Sequence, residues 1–318
     1  MLFADAELTR RIEQAALQFG ADVAAAVARR RESTVDAAPA HDTMGPTWPV
    51  LPLAGGGAVH LGYGSPFNKL IALGLEGAWN DQNSAQLDTI ERLFASRGAA
   101  VQAEVCTLAD ASVVRELTRR GYALMGFENV LGCRLTPPGG PSNDGGPMPS
   151  RRSSTDLTIT ARADDRAAWP GWMDALITGF GQPDLVPGGE SHESFARAAL
   201  EQAMGDMALA EGIARYVAQR SGEIVGAATM RCTGGVAELS GAATLPAHRR
   251  TGVQSALLTR RLQDAAARGC DIAVVTTQPG SQSQHNAQKN GFVLLYARAI
   301  LVRDPAVATI PAGAADRP

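Results

Sequence analysis

Residues 236–258, VAELSGAATLPAHRRTGVQSALL, constrain this chain more than any other stretch. Val236 to Thr244 is a short apolar run rich in small residues, and it predicts a buried strand. Pro246 ends that strand, because proline has no N–H to give to a continuing ladder. A tight basic turn follows, His248-Arg249-Arg250-Thr251-Gly252-Val253-Gln254. An amphipathic helix comes next, with Val253, Leu257, Leu258, Leu262 and Ala265 on one face. Strand, glycine-bearing basic turn and helix, in that order, aim free backbone N–H groups and the positive end of the helix dipole at one point. Such a point attracts anions, phosphate above all. Gly252 has no Cβ and so lets a ligand approach the backbone.

The chain has 318 residues, enough for two ordinary domains, and its 45% hydrophobic content is adequate for real cores. The net charge of −3 carries no nucleic-acid footprint and no polybasic membrane surface. The arginines at 28–31, 249–250 and 260–261 are local clusters. Cys106, Cys133, Cys232 and Cys270 are scattered without a CxxC pair, which argues against a metal centre or a disulfide framework. No long uncharged apolar stretch and no signal peptide is present, and the start, MLFADAELTRRIEQAALQFG, predicts an amphipathic helix. The expectation is a soluble, cytoplasmic protein.

Residues 136–156, rich in proline, glycine and serine, predict a linker, and 304–318 a frayed tail. The parts on either side of the linker resemble each other. The first, 1–135, ends with a helix (LDTIERLFASRG), a strand (AVQAEVCTL), a helix (ADASVVRELTRRGY) and a strand (FENVLGCRL). The second, 157–303, ends with ALLTRRLQDAAARG, DIAVVTT, SQSQHNAQKNGF and LLYARAILVR in the same order. Gly98 and Gly269 close the first helix of each set, and Gly121 and Gly291 follow the second, each before an aromatic residue. This is an internal repeat. The copies differ before the first helix: residues 68–77, NKLIALGLEG, contain no arginine-x-x-glycine turn, and Glu76 repels a phosphate.

In the second part Leu157–Ala161 alternates as a first strand. Helices are expected over WMDALITGF and HESFARAALEQAM, then strands over GIARYVAQR and EIVGAATMRC joined by Ser221-Gly222. The turn Thr233-Gly234-Gly235 leads into the strand at 236. The chain lacks the Gly-Lys-Ser/Thr of a P-loop and the three-glycine dinucleotide fingerprint.

The turn at Arg249–Val253 resembles the acyl-CoA-binding segment of the GCN5-related N-acetyltransferases (GNAT), which is Arg/Gln-x-x-Gly-x-Gly/Ala after a strand and an x-Pro-x-x step. Gln254 departs from that pattern, standing where Gly or Ala is usual. The order of elements over 157–303 resembles the same family. The resemblance implies an α/β (α+β) chain of two tandem GNAT-like domains, each a mixed, mostly antiparallel sheet flanked by helices. The first would be a degenerate copy without the coenzyme turn. It implies acetyl-CoA as cosubstrate and no metal. It also implies a splayed strand pair, Leu239–Thr244 and Ile272–Thr277, that holds the pantetheine arm. Main-chain groups of Ala243, Thr244 and Leu245 would meet that arm. Those of Arg250, Thr251, Gly252, Val253, Gln254 and Ser255 would meet the pyrophosphate, with charge added by Arg249 and Arg250. Asn286 either hydrogen-bonds the coenzyme or faces solvent.

Acyl transfer to an amine needs a proton acceptor and a polarised carbonyl. Glu238 is the base candidate, an ionisable residue inside an apolar strand where burial raises a carboxyl pKa; a place on the solvent face is the alternative. The family's tyrosine acid falls at Ala287, so that role does not transfer. Tyr296 is the nearest tyrosine, either reaching the cleft or packed on its strand. The expected activity is N-acetyl transfer from acetyl-CoA to a small-molecule or peptide amine by direct attack. An acyl-CoA-binding regulatory or assembly module is the alternative. No nucleic-acid or membrane partner is expected, and either a monomer or a homodimer fits.

Overall fold

A computed structural model describes residues 2–33, 50–62, 65–136, 156–161, 169–182 and 197–305. The expected linker, apart from its two ends, and all of the expected tail beyond residue 305 lie outside the described residues. The first part contains α1 (Ala6–Ser33), β1 (Leu51–Leu53), β2 (Gly56–Val59), β3 (Lys69–Ile71), α2 (Asp81–Ser96), β4 (Val101–Cys106), α3 (Ala111–Arg119) and β5 (Ala123–Arg134). The second contains β6 (Leu157–Ala161), α4 (Trp169–Gly181), α5 (Arg197–Leu209), β7 (Ile213–Arg220), β8 (Glu223–Thr233) and β9 (Val236–Thr244). It continues with α6 (Val253–Ala267), β10 (Ile272–Thr277), α7 (Gln282–Lys289) and β11 (Val293–Arg303).

Local chemistry explains most of these elements. Ser221 and Gly222 both take positive φ, 51° and 88°, which matches the twist of the β7–β8 hairpin. In α2, Leu87, Ile90 and Phe94 recur on one face and are buried. The repeat is visible in the backbone, since Gly121 and Gly291 share a φ of 86° just past α3 and α7. No helix of the described residues is long and apolar enough to cross a membrane.

All eleven described strands join in one mixed, mostly antiparallel sheet, in the order β1-β2-β3-β4-β11-β5-β10-β9-β8-β7-β6. Only β3–β4 and β9–β10 are parallel pairs. The two halves have exchanged their last strands. β11, from the second half, pairs with β4 of the first; β5, from the first, pairs with β10 of the second. β5 and β11 pair with each other at the centre. The two halves of the repeat therefore share one sheet. Pairing β4 with β11 and β10 with β5 leaves neither strand with an open edge, and the β5–β11 pair fuses the two halves.

Each half has its own core. Leu87, Phe94, Val113 and Leu117 anchor the first, and Met230, Leu257, Leu262 and Phe292 the second. A third cluster joins them, with Ile12, Val130, Val236, Ile272 and Tyr296. Burying a side chain of the size of Leu257, which is wholly enclosed, stabilises the fold by about 1.5–3 kcal/mol. α1 crosses from the first half onto the second. Arg231 of β8 pairs with Asp22 of α1 and donates to the carbonyl of Ala15. Arg11 pairs with Asp271 at 2.7 Å.

Candidate active site

β9 and β10 are paired only at Val236/Ile272, Ala237/Ala273 and Glu238/Val274. Beyond Glu238 the two strands part, and the sheet forks. On its other side β9 pairs with β8, but the register steps from Ser240↔Thr229 to Ala243↔Ala227. Gly241 and Ala242 thus oppose the single residue Ala228, a β-bulge, and have no strand partner on either side. Gly241 takes a φ of 54°, a conformation that favours glycine. A cleft of about 370 Å³ occupies the fork. Leu239 to Ala242 line one wall and Val274 to Thr277 the other. The hydroxyl of Thr277 is buried in it without a hydrogen-bond partner among the described residues.

The turn after β9 is built as its sequence predicts. Pro246–His248 forms a single 3-10 turn, closed by the His248 amide donating to Leu245. Arg250 and Gly252 both have positive φ, 62° and 89°. α6 then begins at Val253 with no side-chain cap. Its first helical bond is Ala256 N–H to the Gly252 carbonyl, 3.0 Å. Helix geometry gives the amides of Val253, Gln254 and Ser255 no partner of their own. A Cβ placed on Gly252 meets no protein atom within 4 Å, so the space above the turn is open. The equivalent helix of the first half is closed instead. At α2, Asn80 accepts from the Asn83 amide at 3.0 Å and Asn83 accepts from the Asn80 amide at 3.1 Å, a complete capping box.

Glu238 lines the cleft, with a side chain 14% exposed. It accepts a hydrogen bond from Arg231 Nη1 at 3.2 Å. Burial pushes its carboxyl up to about 7, against the pull of Arg231. Arg231 does not swing freely, because Asp22 and the Ala15 carbonyl also hold it. The first half completes the cleft. Ile12, Ala16, Phe19 and Gly20, one stripe of α1, line it together with Phe67 and Glu128. Lys69, Glu104 and Arg298 line it too, and they form a buried chain in which Arg298 also pairs with Glu13 at 2.8 Å.

Three of the expected site residues engage protein partners. Tyr296 points away from the cleft: it is 4% exposed, and its hydroxyl donates to Glu13 at 2.8 Å in the core between the halves. Burial and that carboxylate raise its pKa far above the ordinary phenol value. Tyr296 is a packed strand aromatic. Arg249 turns toward α4, donating to the carbonyls of Gly179 and Gln182, rather than toward the turn. Four-carbonyl helix ends attract a cation, and α4 supplies one within reach. The main chain of Leu245 is taken on both sides, its N–H by Val225 and its carbonyl by His248.

The other residues fall around the fork. Ala243 and Thr244 continue β9 beyond the bulge, paired with β8. Arg250 is exposed. Thr251 donates its hydroxyl to the His248 carbonyl and accepts from Arg220. Val253 is buried, anchoring the helix start. Gln254 lines the cleft and accepts from the Thr244 hydroxyl at 3.5 Å. Ser255 stands in the first turn of α6, partly buried. Asn286 lines the cleft, its side-chain oxygen accepting from Gln282 at 2.9 Å. Ala287 beside it is buried in the core. The bulge at Gly241–Ala242 was not anticipated, although a glycine inside a strand is its usual mark.

A separate hollow of about 540 Å³ lies between β4 and α3, walled by Val105, Cys106, Ala111 and Val114. It has Arg115 as its one charge, and the Cys106 thiol is pushed up to about 11 by burial. It lacks the converging polar groups of the fork.

The site is thus a forked mixed sheet with an uncapped helix at its mouth and a buried carboxylate at its apex. Residues 182–292, about a third of the chain, match the model of the acetyltransferase (GNAT) family. A GCN5-related N-acetyltransferase from Kribbella flavida superposes with a TM-score of 0.54 at 17% identity, covering 78% of this chain and 85% of its own. A tandem GNAT protein from the clavulanic acid biosynthesis pathway gives 0.52 at 10% identity, covering 83% and 82%. Among curated proteins none matches.

Proposed function

We propose that this chain is an acyltransferase that moves an acetyl group from acetyl-CoA to an amine. The observation that carries this reading is the fork, with its uncapped α6 at one end and Glu238 at the other. The residues present fit the coenzyme: the turn offers unpartnered amides and open space at Gly252, and the Thr277 hydroxyl inside the fork has no partner among the described residues. Val253, Gln254 and Ser255 amides would hold the diphosphate, with Arg250 adding charge. Thr277, Asn286 and the β9 backbone at Ala242 to Thr244 would hold the arm.

Bound acetyl-CoA supplies the acyl group: the amine nitrogen bonds to the carbonyl carbon, the carbon–sulfur bond breaks, and CoA leaves as the thiolate. Glu238 takes the proton that the amine loses. A carboxyl with a pKa near 7 is half ionised at neutrality, which suits that role. Gly241 and Ala242, which have no register partner in the neighbouring strands, would offer their amides to the carbonyl oxygen. The amine enters from the side built by α1, β3 and β5, which gives the first half its task. With α2 capped by Asn80 and Asn83, that half walls the acceptor and binds no coenzyme of its own.

The test is melting with and without acetyl-CoA, then CoA release over a panel of amines. Stabilisation of about 2.7 kcal/mol is expected at a hundredfold excess over the dissociation constant, with CoA release on at least one amine. A second reading, coenzyme binding without turnover, draws on one observation: the α7 position facing the fork is Ala287, and among the described residues no tyrosine lines the fork. Stabilisation without CoA release on any amine would favour that reading.

A further inference from the structure

One buried charge in the cleft has no part in the scheme above. Arg261, on the third turn of α6, is 3% exposed and lines the fork. Its Nη1 donates to the Thr229 carbonyl at 3.1 Å and its Nε to the Leu257 carbonyl at 3.3 Å. Among the described residues no carboxylate pairs with it. Tyr216 is the ionisable group nearest in effect, and its hydroxyl is engaged with Asp264 at 3.0 Å. Burial brings the guanidinium down to about 10, so it stays charged at neutrality.

An unpaired buried cation is costly, and an apolar residue would pack there at less cost. Its position is specific. Thr229 is the β8 residue at which the ladder to β9 breaks, since Thr229 faces Ser240 and the next pair skips Gly241 and Ala242. Gln254, Leu258 and Arg261 lie along one face of α6 and all line the fork. That stripe starts at the diphosphate end and reaches Arg261 roughly 10 Å further on, from helix rise. Arg261 therefore stands at the closed end, beside the bulge.

We propose that Arg261 is a positioning residue for acyl transfer, holding the β8–β9 bulge in register so that the Gly241 and Ala242 amides face the acyl carbonyl. Its charge reinforces the field at that oxygen. The proposal rests on acetyl-CoA occupying the fork, as read above.

The test uses the full chain and acetyl-CoA labelled with 13C at the carbonyl, read by infrared difference spectroscopy at saturation. The parent is expected to lower the thioester stretch relative to free acetyl-CoA. Arg261→Met is expected to lose most of that shift while binding acetyl-CoA within about threefold of the parent, since its diphosphate site is intact. Arg261→Lys, which keeps a charge and a donor, is expected to restore part of it. A variant that melts lower yet keeps the parent's band would make Arg261 a mere fastener of α6 and overturn the proposal. If Arg261→Met does not fold, Arg261→Gln carries the comparison, and an unchanged band there overturns the proposal too. In both cases the parent's shifted band leaves the coenzyme reading standing. A parent that binds no acetyl-CoA overturns both.

Discussion

Arg231 of β8 stands between Glu238 and Asp22, 3.2 Å from the first and ion-paired with the second, and so ties the candidate base to a helix from the other half. Proton affinity at the fork thus depends on how α1 is seated. A carboxylate with an arginine beside it ordinarily titrates low; here desolvation outweighs the arginine and the net direction is upward.

That balance sets a pH dependence. Turnover is expected to rise with pH through about 7 as Glu238 ionises. Glu238→Gln should remove that limb and lower turnover at least tenfold, the low end of general-base contributions, while leaving the acetyl-CoA melting shift. Stability runs the other way. An acid with a raised folded-state pKa stabilises the fold fully below its ordinary 4.5, and that contribution is lost as pH rises through about 7. The parent should therefore lose melting temperature relative to Glu238→Gln over that window. Equal rates in mutant and parent would remove Glu238 as the base.

At the turn, Gly252→Ala separates backbone strain from ligand approach. Its φ of 89° costs an alanine about 1–2 kcal/mol, with no steric clash from the protein. The affinity for acetyl-CoA is expected to fall further, about tenfold or more, because the new methyl meets the diphosphate. Calorimetric titration beside a melting curve distinguishes the two effects, and an unchanged affinity would place the diphosphate elsewhere.

The two arginines of the turn should behave differently. Arg249→Ala releases the end of α4 and is expected to lower melting temperature with little change in coenzyme affinity. Arg250→Ala is expected to do the reverse, and its effect should shrink as salt rises. Titrations at low and high ionic strength check both.

Tyr296→Phe removes the hydroxyl that donates to the Glu13 carboxylate. A loss of about 1–3 kcal/mol in urea unfolding is expected, as for a hydrogen bond to a charged group, with turnover unchanged. A large loss of turnover at full stability would return Tyr296 to the site.

Strand exchange predicts that the second half does not fold alone. Residues 156–318 expressed without the first part lack β5, which separates β10 from β11. No cooperative melt is expected from that fragment, whereas addition of the first part should restore it. A sharp transition in the isolated fragment would show that β11 can pair directly with β10.

Much of this site was legible from neighbours along the chain. Pro246 stopping β9, Gly252 in a left-handed turn, the apolar face of α6 and the paired glycines of the repeat each depend on a residue and the few beside it. The misplaced side chains share a different cause. Arg249, Tyr296 and the main chain of Leu245 find partners at Gly179, Glu13 and Val225, far away in sequence, and nothing local announces those partners.

By itself the sequence determined the order of strands and helices, the position of the glycine turn before α6 and the repeat, because backbone sterics and hydrophobic period act over a few residues. Only the tertiary structure decided that the last strands change places, that α1 roofs the neighbouring half's cleft, and that Arg261 lies buried beside the bulge. Those outcomes follow from completing hydrogen bonds and burying charge across distant segments, where the chain offers several partners and packing selects one.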